Sequence, residues 1–257
     1  MRSKLLLLLL VVLSSNLAAC SVKAVKTDPS TSTSKHQDTK SSTANLDTAL
    51  NKCIGILKFG KLISYYKPKQ SDAVIALGLM GDERAVDVLT EFLMNHENRH
   101  LRTEIVRALA EIKSKKAIPA LRHALNDDYI YVRKLAQYAL NRINENDSSS
   151  SKSSDRDPVE KCIKILKFGI INRYDVPCKT DAAIALGLIG DERAIDVLVD
   201  FLANHENDNL RMEIAKALGR IGSKQAVPAL KKALSDNYSH VRAIAKLALA
   251  EIAREEY

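Results

Sequence analysis

The sequence predicts an all-α solenoid of helical hairpins, about twelve helices in two duplicated halves. Three observations predict it. Residues Lys52–Ile143 recur at a constant offset of 109 without a gap, and 54 of those 92 positions are identical, the mark of an internal duplication. Inside each half a period of about 32 residues returns similar segments: ALGLMG from Ala76, ALAEIK from Ala108 and ALNRIN from Ala139. Apolar residues keep helical spacing, as in Ile105, Ala108, Leu109, Ile112 and again in Ala117, Leu121, Ala124, Leu125. One such hairpin cannot bury its own apolar stripe, so neighbouring hairpins must cover it.

Taken from the N terminus, the first element is an export signal over residues 1–19. Arg2 and Lys4 precede an apolar run from Leu5 to Leu13, and small residues lead to Cys20. The run is shorter than the roughly 20 residues that a membrane-spanning helix needs. Leu17-Ala18-Ala19-Cys20 resembles the lipobox of bacterial lipoproteins. That resemblance implies that Cys20 is lipidated, becomes the first residue of the mature chain and anchors it to a membrane, and that Ser21 directs it to the outer membrane. The expected location is the bacterial cell envelope, lipid-anchored at the outer membrane and facing the periplasm. Residues 20–45 are rich in Ser, Thr and Lys with almost nothing to bury, which predicts a disordered tether spanning roughly 25–30 Å.

The two repeat halves follow, residues 46–143 and 158–257, separated by a Ser-rich stretch at 144–157. Gly81 and Gly190 follow the last apolar residue of their helices, where a left-handed cap is wanted, and Asp82 and Asp191 are placed to cap the next helix. Pro119 and Pro228 fall in a first turn, where a missing N–H does no harm. Ala85–Met94 reads as the second helix of a hairpin, with the next helix starting near Leu101. Leu121 and Leu166 are 45 residues apart, one period plus about 13, close to the length of the Ser-rich stretch. This register favours an insertion within one continuous solenoid, with two separate domains as the alternative.

ALGLMGDERAVDVL from Ala76, LRTEIVRALAEIKSKKAIPALRHALND from Leu101 and YVRKLAQYALNRI from Tyr131, with their second-half counterparts, resemble HEAT-like repeats of the phycobilisome-lyase type. The resemblance covers most of residues 46–255 and implies the fold more than an activity, since such repeats serve as lyase components, hydroxylases and plain scaffolds. Lyases of this type act on chromophores in the cytoplasm, whereas this chain opens on an export signal. The deoxyhypusine hydroxylases, similar in repeat pattern, hold two irons with His-Glu pairs near helix starts. The matching positions here are Ser71-Asp72, Thr103-Glu104, Lys134-Leu135, Thr180-Asp181, Met212-Glu213 and Ala243-Ile244, without a histidine. No dinuclear iron site is built from such a set, and its acidic residues read as favourable charges in first turns. The repeat type also implies that Arg102, Arg133, Arg211 and Arg242 tie successive repeats together, the alternative being a phosphate or carboxylate site.

One local motif points elsewhere. His96-Glu97-Asn98-Arg99-His100 fits the zinc-protease pattern H-E-x-x-H, which needs a helix to set both imidazoles on one face. Asn95 and Asn98 instead mark a turn, and the second copy, from His205, has Asn209 in place of the second histidine. No metal and no cofactor are expected. Cys53 falls on an apolar stripe with Leu50 and Leu57, and Cys162 with Val159 and Leu166, so both read as core. Cys178 reads as a loop residue, and a Cys162–Cys178 disulfide is allowed in an oxidising compartment. Without the signal, 37 Lys and Arg face 31 Asp and Glu, interspersed, which is a soluble surface and not a nucleic-acid footprint. The expected function is a monomeric, lipid-anchored scaffold or adaptor without catalysis. It binds another envelope protein on a concave surface lined by the second helices, at Asp87, Glu91, Arg122, His123, Asp196, Asp200, Lys231 and Lys232. The alternative is a HEAT-repeat metalloenzyme, hydrolase or hydroxylase-like, working through His96, Glu97 and His100.

Overall fold

The computed structural model describes residues 34–60, 68–145, 157–169 and 177–254. It divides into two compact units, Met1–Lys40 and Ser41–Tyr257. Of the first unit only the opening of one helix is described, and the second holds all the repeats. The export signal, Cys20, the first part of the expected tether and most of the Ser-rich stretch lie outside the described residues. No described helix is long and apolar enough to cross a membrane.

Twelve α-helices and no strand occur among the described residues: α1 (Ser34–Phe59), α2 (Gln70–Met80), α3 (Val86–Asn95), α4 (Arg99–Ile112), α5 (Ile118–Ala124), α6 (Ile130–Glu145), α7 (Pro158–Phe168), α8 (Lys179–Ile189), α9 (Ile195–Asn204), α10 (Asp208–Ile221), α11 (Val227–Ala233) and α12 (Ser239–Arg254). Helix α1 starts inside the stretch expected to be a tether. Ala49, Leu50, Cys53 and Leu57 bury one side of its C-terminal half, and the hydrogen-bond ladder extends back from that anchored part to Ser34.

The local signals act as the sequence suggests. Gly81 and Gly190 adopt the left-handed conformation (φ 69° and 75°) and return their N–H to Leu77 and Leu186. Asp82 and Asp191 accept the N–H of Arg84 and Arg193 at 2.9 Å, and each opens a short 3-10 turn that leads into α3 or α9. Pro119 and Pro228 occupy the first turns of α5 and α11.

The helices form two layers. The long helices α6, α4, α2, α8, α10 and α12 pack side by side in that order, while α3 and α5, with α9 and α11, lie over them in each half. The halves therefore meet through α2 and α8, the second helices of the two copies, and the chain does not continue its stack from α6 into α7. This corrects the continuous order inferred from the spacing around the linker. The physical reason lies in α2 and α8 themselves, which are buried on almost every side and need apolar neighbours on two flanks. Small residues bring the layer close: a Cβ built on Gly78 would sit 2.7 Å from the Cα of Ala108, and one on Gly187 2.6 Å from that of Ala217.

Candidate functional site

The five residues of the zinc-protease pattern do not share a helix. His96 caps the C terminus of α3 in extended conformation, Asn98 caps the N terminus of α4, and His100 lies in the first turn of α4. The imidazole of His96 accepts the N–H of Asn98 at 3.0 Å through Nδ1 and stacks on Phe92. His205 does the same with Asn207 and Phe201 in the second copy. Burial and then the nearby Lys179 hold the His205 imidazole below its ordinary range. The shared Asn-His-Glu-Asn segment is thus a built turn, closed by a ring nitrogen and a ring stack.

Arginines lock these turns to the next repeat. Arg102 grips Asp127 with Nε and Nη2 at 2.8 and 2.9 Å, also reaches Asp128, and donates through Nη1 to the carbonyls of His96 and Glu97. Arg211 repeats the arrangement with Asp236 and the carbonyls of His205 and Glu206. Each ties the turn before its own helix to the turn one hairpin later. Arg133 and Arg242 instead donate to carbonyls of the turn just ahead of them, at Asp127, Asp128, Asp236 and Asn237. The carboxylate that fills the arginine fork belongs to the chain.

A charge cluster between the halves escaped the sequence reading. Asp72 and Asp181 do accept N–H groups at the starts of their helices, from Lys69 and Cys178, but they also reach across: Asp72 pairs with Arg220 at 3.3 Å and Asp181 with Arg107 at 3.1 Å. Arg107 also binds Glu104, Lys216 binds Glu213 at 2.7 Å, and Glu111 receives both Arg142 and Lys161. Burial holds the Glu104 carboxyl above its ordinary range despite Arg107. Burial would raise Glu111 too, but Lys161 and Arg142 outweigh it and hold it low. Such a set does not fit a pair of irons, because the carboxylates face guanidinium and ammonium groups and no imidazole stands among them. No group of three or more His, Cys, Asp or Glu able to hold a metal ion occurs among the described residues.

The three cysteines of the repeat halves stay apart from one another in chemistry. Cys53, Cys162 and Cys178 are all buried free thiols, so the Cys162–Cys178 bridge is not formed. Cys178 precedes α8 directly, beside Asp181 and Arg107, while Cys162 faces the core from α7. Burial pushes the Cys53 and Cys162 thiols up to about 12.

All eight candidate surface residues are exposed, and they sit on α3, α5, α9 and α11. Asp87, Glu91 and His123 line one groove of about 550 Å³ between α3 and α5, together with Lys116. Lys232 lines a groove of about 810 Å³ between α9 and α11. Arg122, Asp196, Asp200 and Lys231 lie outside these two grooves. The eight residues share an exposed layer, and Asp87, Glu91 and His123 alone among them converge on one groove.

Layered helical hairpins tied by an arginine ladder define a helical-repeat protein. A family model for HEAT repeats matches residues 65–141 and 171–250, and the chain belongs to that family. A comparison with curated proteins returns no match. Similar solved structures include human deoxyhypusine hydroxylase in complex with glycerol, at TM-score 0.38 and 19% identity over 88% of this chain and 100% of that one. The complex of CpcE and CpcF of phycocyanin lyase from Nostoc has TM-score 0.32 and 22% identity over 88% and 79%. A designed armadillo repeat protein in complex with peptide (KR)4 has TM-score 0.33 and 18% identity over 79% and 99%.

Proposed function

We propose that the protein is a monomeric, lipid-anchored scaffold or adaptor of the bacterial envelope, which binds another envelope protein and does no chemistry of its own. Lipidated Cys20 holds it to a membrane, the outer membrane in the reading of Ser21, and α3, α5, α9 and α11 present the binding face. One observation carries this reading. The charges at the contact between the halves are taken up within the fold, whereas the side chains of Asp87, Glu91, Arg122, His123, Asp196, Lys231 and Lys232 have no hydrogen bond or ion pair among the described residues. Charged groups left open beside a rigid groove supply a polar rim for a protein partner.

Photo-cross-linkers placed at Asp87 and at Lys232 in intact cells are expected to capture one and the same envelope protein. Charge reversal at Asp87 and Glu91 together is expected to abolish that capture while leaving the circular dichroism spectrum unchanged. Cys20→Ser should move the chain from the membrane to the soluble fraction. Folded, envelope-located protein that captures nothing from either position would overturn the scaffold reading.

A further inference from the structure

The grooves of the short-helix layer recur in both halves, but one cleft of the long-helix layer has a rim peculiar to the first. At the N-terminal ends of α2, α4 and α6 lies a cleft of about 670 Å³. Leu101 and Leu135, both nearly buried, form its floor, and Tyr129, Tyr131, His100 and Lys134 stand around it. The Tyr129 ring organises this wall. The Arg99 guanidinium carbon lies 5.0 Å from its centroid, His100 meets it edge-on at 6.0 Å, and Tyr131 tilts against it at 5.3 Å. Tyr131 is 51% exposed and its neighbour Ile130 47%, so apolar surface stays open to solvent here.

The cleft is also cationic. Neither Arg99 nor Lys134 has an ion pair among the described residues, and the one carboxylate in the lining, Glu104, is already bound to Arg107. The N-terminal ends of the long helices α4 and α6 add positive partial charge. In the second half the floor is kept as Leu210 and Ile244, but the rim positions hold Asp208, Asn209, Tyr238, Ser239, His240 and Ala243. One duplicated frame thus carries a basic, aromatic rim in one copy and a rim without Arg or Lys in the other.

We infer that this cleft docks an acidic peptide segment bearing an aromatic or branched aliphatic side chain. The apolar side chain enters over Leu101 and Leu135 against Tyr129 and Tyr131, and the flanking carboxylates meet Arg99 and Lys134. Two unpaired cations around an apolar floor suit a short segment, whereas a polyphosphate chain needs a track of cations. The inference rests on the scaffold reading and names a second contact surface, with its partner chemistry, on the same protein.

The test uses the full chain and a fluorescein-labelled peptide, Glu-Glu-Phe-Glu-Glu, followed by fluorescence anisotropy. One peptide per chain is expected to bind, more weakly as salt rises. The double variant Arg99→Asp, Lys134→Ala should weaken binding about tenfold or more. Asp208→Arg, His240→Tyr and Ala243→Lys together should raise the stoichiometry from one to two. Unchanged affinity in the folded double variant would overturn the inference, as would tighter binding of heparin or a single-stranded oligonucleotide than of the peptide. Cross-linkers at Tyr131 and Asp87 in cells separate the two readings. Capture from Asp87 alone overturns the cleft and leaves the scaffold, capture from neither overturns both, and capture from Tyr131 that is lost on Arg99→Asp supports the cleft.

Discussion

Arg102 and Arg211 carry the same work in the two halves, and their surroundings say what losing them would do. The Arg102 side chain is 11% exposed and grips Asp127 with two nitrogens while a third holds the His96–Glu97 turn. Arg102→Lys keeps the charge but loses the fork, which is expected to cost ~2 kcal/mol in urea unfolding. The exposed Arg84, whose partners Asp82 and Asp47 also face solvent, should give a far smaller effect on the same substitution. These pairs also set the acid response. Hydrogen bonds from Arg211 hold the Asp236 carboxyl below its ordinary range against the opposing effect of burial. At Asp127 burial would raise the carboxyl, but the bonds from Arg102 and the Tyr129 N–H prevail and hold it low. A folded-state pKa below the unfolded one means that the stabilisation is present above the unfolded value, about 4, and is lost as pH falls through the folded value. The stabilisation that these pairs supply should therefore be constant above about pH 5 and fall below pH 4. Asp236→Asn should be less stable at neutral pH and show a shallower acid limb.

At the scale of the helix, much was legible because the signals are local. Gly81 and Asp82 mark an end and a start within two residues, and the i, i+3, i+4, i+7 stripe of α4 buries Ile105, Ala108, Leu109 and Ile112 as its spacing requires. Helix α1 shows the limit: SKHQDTKSST carries no apolar stripe, so nothing in its composition marks helix until the buried residues further along. What the sequence conceals at this scale is the space beside a residue. Gly78 and Gly55 both lie inside helices, yet a Cβ at Gly78 would press on the backbone of Ala108, while nothing lies within 4 Å of one at Gly55. The same Gly→Ala change should therefore have opposite signs. At Gly55 the gain in helix propensity should stabilise by ~0.5–1 kcal/mol. At Gly78 the forced separation of α2 from α4 should outweigh that gain and cost ~2 kcal/mol, both read from thermal or urea unfolding.

For the whole molecule, the order of the stack and the central charge cluster were hidden because both depend on contacts distant in sequence. Asp72 and Arg220 are 148 residues apart, and no local pattern pairs them. The one available hint was composition: α2 and α8 are apolar on every side, as befits helices with neighbours on both flanks, whereas the spacing across the linker reflects only chain length. Duplication adds a further consequence. The residues at the same place in the two copies, Glu111 and Arg220, carry opposite charge, and each faces the other half: Glu111 meets Lys161, and Arg220 meets Asp72. The swap does not by itself choose a partner, because two copies of the first half would set Glu111 against Lys52 as well as Asp72, and two copies of the second would set Arg220 against Asp181 as well as Lys161. The apolar contact through α2 and α8 is nearly the same in all three pairings, so separately produced chains 46–143 and 158–257, mixed in equal amounts, should form homodimers beside the one-to-one complex, as seen by native mass spectrometry. Glu111→Arg should weaken the mixed complex, because the introduced guanidinium stands opposite Lys161. A mixed complex unaffected by this change would mean that the apolar faces of α2 and α8, and not the charges around them, hold the halves together.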